Sequence, residues 1–145
     1  SDVCSSDLKE YRWHCKSGTA SIPFSSTGMG FFSKLQNVGV PFTGEKEPDE
    51  EWMKAMETKA GFLPKSLKKA YWNLPNLCTY EKLLKLQKET GYSLQALSLA
   101  YFFNHPFQIV PVTGVRNHMQ LEEAVGACEL DLAPELFGGW IKKIG

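Results

Sequence analysis

The residues best suited to chemistry lie in one step, Val112–Thr113–Gly114–Val115–Arg116–Asn117–His118–Met119–Gln120. An apolar run ends, Gly114 frees the backbone, and Arg116 stands where a helix is expected to begin. The first amides of a helix lack intrahelical acceptors and the helix dipole is positive there, so a guanidinium beside them favours phosphate. The same residues also fit a solvated loop charge followed by an ordinary Asn117 cap, and spacing alone does not choose. A second candidate is Ser26–Thr27–Gly28–Met29–Gly30, whose small side chains and two glycines permit a sharp turn and close approach to a ligand. An ordinary turn is the competing reading there.

Elements must bring these two loops into place. Thr19–Ala20–Ser21–Ile22–Pro23–Phe24–Ser25 is short and β-prone and runs into the Ser26–Gly30 loop. Gln108–Ile109–Val110–Pro111–Val112–Thr113 reads as a buried strand, its proline requiring a position where one amide is not needed. Before the first strand, Lys9 to Lys16 reads as a polar helix ended by Gly18. Residues 35–78 form a Pro- and Gly-punctuated excursion with two short helical candidates. In one, Pro48 takes a first-turn position, Asp49, Glu50 and Glu51 suit the positive helix end, and Trp52, Met53 and Met56 share a packing face. The other runs from Ser66 to Trp72.

Thr79 to Thr90 is amphipathic and ends at Gly91. Ser93 caps the next helix, which is apolar on most sides up to Asn104–His105–Pro106 and is therefore expected to be buried. Asn117 and Gln120 make a capping box for a helix whose Leu121, Ala124, Val125 and Cys128 form an apolar stripe. A last helix is expected near Pro134–Glu135. Strands that alternate with helices imply an α/β fold with parallel pairing, because parallel strands need crossover connections. Two strands alone leave faces and edges uncovered, so either further strands lie upstream or the piece is marginal.

Composition excludes several classes. Sixteen basic residues balance sixteen acidic ones, and no stretch interleaves cations with aromatics, which argues against nucleic acid as a partner. Apolar runs such as Ile109 to Val112 fall far short of the ~20 residues of a membrane helix, so no membrane association and a soluble, cytoplasmic protein are expected. Cys4, Cys15, Cys78 and Cys128 share no C-x-x-C spacing, which predicts buried free thiols and no metal site.

The segment from Tyr92 to Glu135, with Gly114–Val115–Arg116–Asn117–His118–Met119–Gln120–Leu121–Glu122–Glu123 at its centre, resembles the end of the aldo-keto reductases. That family's G-x-R-x-x-x-Q-x-x-E-N spacing grips the 2'-phosphate and adenine of NADPH. The resemblance implies cofactor binding by Gly114, Arg116, Gln120 and Glu123, while Ala124 stands in place of the final asparagine and removes one amide from adenine. Ile22 to Lys34 is similar to the family's seventh strand and its loop, Y-S-P-L-x-x-G-x-L-S-G-K. By that likeness Phe24 borders the nicotinamide, Ser25, Ser26, Thr27 and Gly28 line the pyrophosphate, and Lys34 belongs to the site, although the glycine after Ser33 is absent. The implied fold is the C-terminal portion of a (β/α)8 TIM barrel, strands seven and eight with their helices, where phosphate is often held by the loops after those strands.

The resemblance places the family's catalytic Asp, Tyr, Lys and His in the first half of the barrel, outside this chain, so no catalytic residue is assigned. Tyr11, Tyr71, Tyr80, Tyr92 and Tyr101 fall in segments that read as helix, and His14, His105 and His118 read as structural or exposed. The implied activity is NADPH-dependent reduction of aldehydes or ketones on a small carbonyl or sugar-like substrate, with the fragment alone inactive. A non-catalytic NADP(H)-binding regulatory subunit and a small α/β interaction module are the alternatives, and the coding sequence before Lys9 discriminates among them. Ser1 to Leu8 resembles one reading frame of a sequencing-library adapter and is expected to be an appended tail, leaving residues 9–145 as the domain.

Overall fold

The computed structural model describes residues 5–24, 26–44, 46–130 and 132. Cys4, Ser25 and the helix expected near Pro134–Glu135 lie outside them. Helix α1 (Ser5–Ser17) takes in the polar segment expected from Lys9 and starts a turn earlier. Its polar surface stays largely exposed, and aromatic contacts attach it. The Tyr11 ring meets His105 at 5.6 Å and Phe107 at 5.3 Å, both edge-on, while His14 stacks on Phe107 at 5.1 Å. His14 Nδ1 also lies 2.8 Å from the Thr19 carbonyl, which fixes the turn at Gly18, where φ is +67°.

After that turn the chain runs extended beside residues 108–112. The Ser21 amide donates to the Gln108 carbonyl at 2.9 Å, Val110 donates back to Ser21 at 2.8 Å, and Val112 donates to Pro23 at 3.0 Å. This is a parallel register, as expected. Both segments were expected to be strands, yet the described residues contain only one isolated bridge, Ser21 to Ile109. The ladder breaks for a chemical reason. Continuing the register by two residues asks the residue at 23 to donate to Val110, and Pro23 has no N–H. Pro111 does no such harm, because odd-numbered positions of its segment turn their amides away from this partner. Ile22, Phe24, Val110 and Val112 remain exposed, so this stretch is not the buried sheet core that its apolar residues suggest.

The core is helical. It gathers residues from α2 (Phe31–Asn37), α5 (Lys65–Tyr71), α6 (Leu74–Thr90) and α7 (Leu94–Phe103). Phe31, Leu35, Leu67, Leu77, Tyr80 and Leu97 are all at or below 2% exposure and form one cluster. Each such side chain contributes roughly 1.5–3 kcal/mol of burial. Helix α6 begins a turn before the expected Thr79, because Asn73 caps it by accepting from the Asn76 amide and Pro75 fits its first turn. Gly91, at φ +77°, ends it as expected. Ser93 caps α7 through the Ala96 amide at 3.1 Å.

Helix α7 is apolar on most sides because it packs on two fronts. Leu94, Leu97 and Ala100 enter the main cluster, whereas Ala96 and Leu99 meet Ala127 of α8 (His118–Ala127). Helix α8 departs from expectation: Leu121, Val125 and Cys128 of its apolar stripe are exposed and Ala124 is half-buried. Its small residues Ala124 and Ala127 are what allow close approach to α7, while Leu121, Val125 and Cys128 stay exposed.

Between α2 and α6 the excursion forms α3 (Glu50–Ala55), α4 (Glu57–Ala60) and α5. The Asp49 side chain caps α3 by accepting from the Trp52 amide at 2.8 Å, so Pro48 precedes the cap rather than occupying the first turn. Trp52, Met53 and Met56 pack on the main cluster, as their spacing implied. The preceding loop is clasped to α6 by neighbouring side chains. Tyr80 donates its hydroxyl to Val40 at 2.9 Å, and buried Glu81 accepts from the Thr43 amide at 2.6 Å. Burial raises the Glu81 carboxyl above its ordinary range while the Thr43 bond opposes that shift.

Candidate functional site

Parallel pairing puts the two candidate loops side by side, since both leave the same end of the pair. Ser26 joins them. Its amide reaches the Val112 carbonyl at 3.4 Å, and its hydroxyl lies 3.0 Å from the Pro23 carbonyl and 3.3 Å from that of Val112. The chain then turns through Gly28–Gly30 as a short 3-10 segment with Gly28 at φ +55°, Met29 at +54° and Gly30 at +74°. Three successive left-handed residues explain the glycines. A Cβ at Gly28 would also come within 3.7 Å of Phe31 and 3.8 Å of Tyr71. The turn delivers the chain into α2, and Lys34 Nζ folds back to donate to the Met29 carbonyl at 3.0 Å. Lys34 therefore braces its own loop in this conformation.

Across from it, Asn117 accepts from the Gln120 amide at 2.9 Å and caps α8. Gln120 Oε1 in turn accepts from the Arg116 amide at 2.8 Å, so the expected capping box closes one residue before the cap. The amides of His118 and Met119, which begin α8, have no acceptor among the described residues. Arg116 is exposed and has no carboxylate partner there, and Gly114 has open space around it. Two unpaired amides thus open a ten-residue helix, at its positive dipole end, and the exposed Arg116 lies two residues before it. That arrangement suits a phosphate group, and Gln120, whose Oε1 is held by the Arg116 amide, keeps its Nε2 as a donor.

The remaining predicted residues are placed less tightly. Phe24 is 84% exposed at the end of the first extended segment, as an apolar wall without a neighbour. Thr27 is half-buried beside Gly28, and Glu123 is exposed on α8 one turn beyond Gln120. Ser25 is outside the described residues. No group of three or more metal-ligating side chains occurs among the described residues. Nor is any described helix long and apolar enough to cross a membrane.

Other residues depart from the sequence reading. Cys15 and Cys128 are exposed free thiols, because α1 and the end of α8 leave their outer faces uncovered, and Cys78 on α6 is a half-buried free thiol. Tyr92 lies between α6 and α7, not in a helix, since Gly91 has already turned the chain. His118, by contrast, is exposed as one of its two readings had it, opening α8 with Nδ1 3.4 Å from Glu122 Oε1. Helix α2, which carries Lys34, went unread. The signal was present in Phe31 and Leu35, one helical turn apart and both buried.

Comparison with known proteins adds one finding. The sequence profile of the Aldo/keto reductase family matches residues 3–143 of this 145-residue chain. No curated protein and no solved structure matches it. With the match spanning nearly the whole sequence, the chain belongs to the Aldo/keto reductase family, whose domain is a TIM barrel and whose members are oxidoreductases that generally bind NAD(P)H.

Proposed function

We propose that this chain is the C-terminal part of an NADPH-dependent carbonyl reductase and holds the phosphate-bearing end of the cofactor. One observation carries the reading: the Ser26–Gly30 turn and the segment running from Val112 to Arg116 and the unpaired amides of His118 and Met119 leave the same end of a parallel pair, where Ser26 meets the Val112 carbonyl. In a (β/α)8 barrel that is the end where ligands bind. Arg116 supplies a charge-assisted contact to the 2'-phosphate, the α8 amides add neutral donors, and the Ser26–Gly28 backbone follows the pyrophosphate. The nicotinamide, when bound, supplies hydride to an aldehyde or ketone carbonyl. By resemblance the proton donor lies in the first half of the barrel, so residues 9–145 alone bind the cofactor poorly and do not turn over.

The test is a fluorescence titration with NADPH and NADH, using the protein extended upstream of Lys9 by its genomic coding sequence. Replacing Arg116 with alanine removes a contact of about 1.5–3 kcal/mol, so NADPH affinity should fall roughly 10- to 150-fold. NADH, which lacks the phosphate, should bind as before. Equal losses for the two cofactors, or steady NADPH consumption by residues 9–145 alone, defeats the proposal.

A further inference from the structure

The segment from Ala60 to Lys69, which joins α4 to α5, has one buried side and one exposed side. Ala60, Leu63 and Leu67 enter the main cluster. Between them the backbone is braced: the amides of Gly61, Phe62 and Leu63 donate to the carbonyls of Glu57, Lys59 and Ala60 at 2.9, 3.1 and 3.1 Å, and Pro64 restricts the next step. Phe62 sits on this turn and is left 77% exposed. A ring displayed on a fixed turn loses little further freedom when it meets a partner.

The outer side also carries unopposed charge. Lys65 and Lys69 lie one helical turn apart, two residues either side of buried Leu67, which places both on the face of α5 opposite it. Neither makes an ion pair among the described residues. Lys59 donates to the Gly39 carbonyl, a neutral partner that leaves its charge uncompensated, and Lys68 is paired with Glu57. From Thr58 to Tyr80 the sequence holds no Asp or Glu. Glu57 therefore offsets one of these lysines, and a net positive segment bears an aromatic tip.

A protein partner and a lipid surface make different demands on such a segment. A stable protein interface has a well-packed apolar core inside a polar rim, and here one ring stands among lysines and small residues. A lipid surface needs no complementary pocket. It admits a single aromatic side chain at headgroup level, and each lysine close to anionic lipid strengthens partitioning roughly fivefold. The short apolar runs that argued against membrane association bear on spanning, not on one ring at a surface.

We propose that the Phe62 turn and the outer face of α5 dock this protein on an anionic lipid surface, with Phe62 among the headgroups and Lys65 and Lys69 against the lipid anions. This contact uses none of the loop-site residues and is independent of cofactor binding.

Centrifugation of the full chain with sucrose-loaded vesicles measures the partition coefficient. Vesicles of phosphatidylcholine mixed with phosphatidylserine should bind the chain, phosphatidylcholine alone should bind it far more weakly, and the difference should shrink as salt is raised. Lys65→Gln and Lys69→Gln should each weaken partitioning roughly fivefold. Glu57→Gln, which releases Lys68, should strengthen it. Phe62→Ser should weaken it at high salt as well as low, because that loss is apolar. All four positions are exposed, so unchanged thermal unfolding separates lost binding from lost fold. No preference for the anionic vesicles, or unchanged partitioning in Phe62→Ser, overturns the proposal. So does binding of soluble poly-glutamate by a chain that leaves both vesicles untouched, which would point to an acidic protein segment instead.

Discussion

Ser26 presents both its amide and its hydroxyl to one oxygen, the carbonyl of Val112, at 3.4 and 3.3 Å. A single residue thereby holds the turn after the first extended segment against the end of the second. Replacing Ser26 with alanine keeps the amide contact and removes the hydroxyl. The expected cost is about 0.5–1.5 kcal/mol in urea unfolding, with faster hydrogen exchange at the Val112 amide and unchanged exchange in α6. Unchanged Val112 exchange would show that the hydroxyl is not part of the join.

Pro23 interrupts the parallel ladder by lacking an amide. In Pro23→Val the new N–H faces the Val110 carbonyl, and hydrogen exchange should find it protected to a degree similar to Ser21. A freely exchanging amide at position 23 would show that the register does not continue past the observed bridge.

His105 sits against the rings of Tyr11, Tyr101 and Phe107, and its Nδ1 is buried without a hydrogen-bond partner. Desolvation lowers its pKa from the ordinary 6.5. The denatured chain therefore takes up this proton before the folded chain does. Stability from this group should be complete above pH 6.5, fall as pH drops below that value, and level off beneath the folded pKa. Comparing urea midpoints of the natural chain and His105→Phe at pH 7.5 and 5.5 isolates the effect from the other groups. The natural chain should lose more stability between the two, and parallel losses would rule His105 out.

Glu81 carries the opposite sign. Its raised carboxyl makes the buried charge a cost at neutral pH, while its oxygen is needed by the Thr43 amide. Glu81→Gln keeps an acceptor without the charge and should be neutral or stabilising at pH 7. Glu81→Leu removes the acceptor and should cost about 1 kcal/mol or more, seen in thermal unfolding with exchange accelerated at Thr43. If the two variants behave alike, the clasp does not depend on that bond.

What could be read in the sequence was local. Ser93, Gly91 and Asn117 marked their helix ends because a cap depends on residues three or four apart, and the structure places those ends where the sequence does. Pro75 disguised the start of α6, since proline reads as a break until Asn73 is seen to precede it as a cap. The extended segments show a different limit: a β-ladder depends on the amides of both partners, and Pro23 faces inward while Pro111 faces outward only in the observed register. Burial was equally non-local. The stripe of α8 has the period of a packed face, but of its members Ala124 meets α7, beside Ala127, while Leu121, Val125 and Cys128 stay exposed. At the loop site, residue types pointed to Arg116 and the Ser26–Gly30 turn, and the family likeness supplied their common role. The positions of Gln120 and Lys34, one bonded to the Arg116 amide and the other to Met29, follow from side-chain rotation that spacing does not encode.

The hydrogen bond between Ser26 and Val112 joins residues 86 positions apart. Contacts of such separation form only after the chain between them has lost most of its freedom, whereas helical hairpins such as α6 and α7 close over short spans. The join between the two loops is therefore expected to form later than the local pairing of α6 with α7.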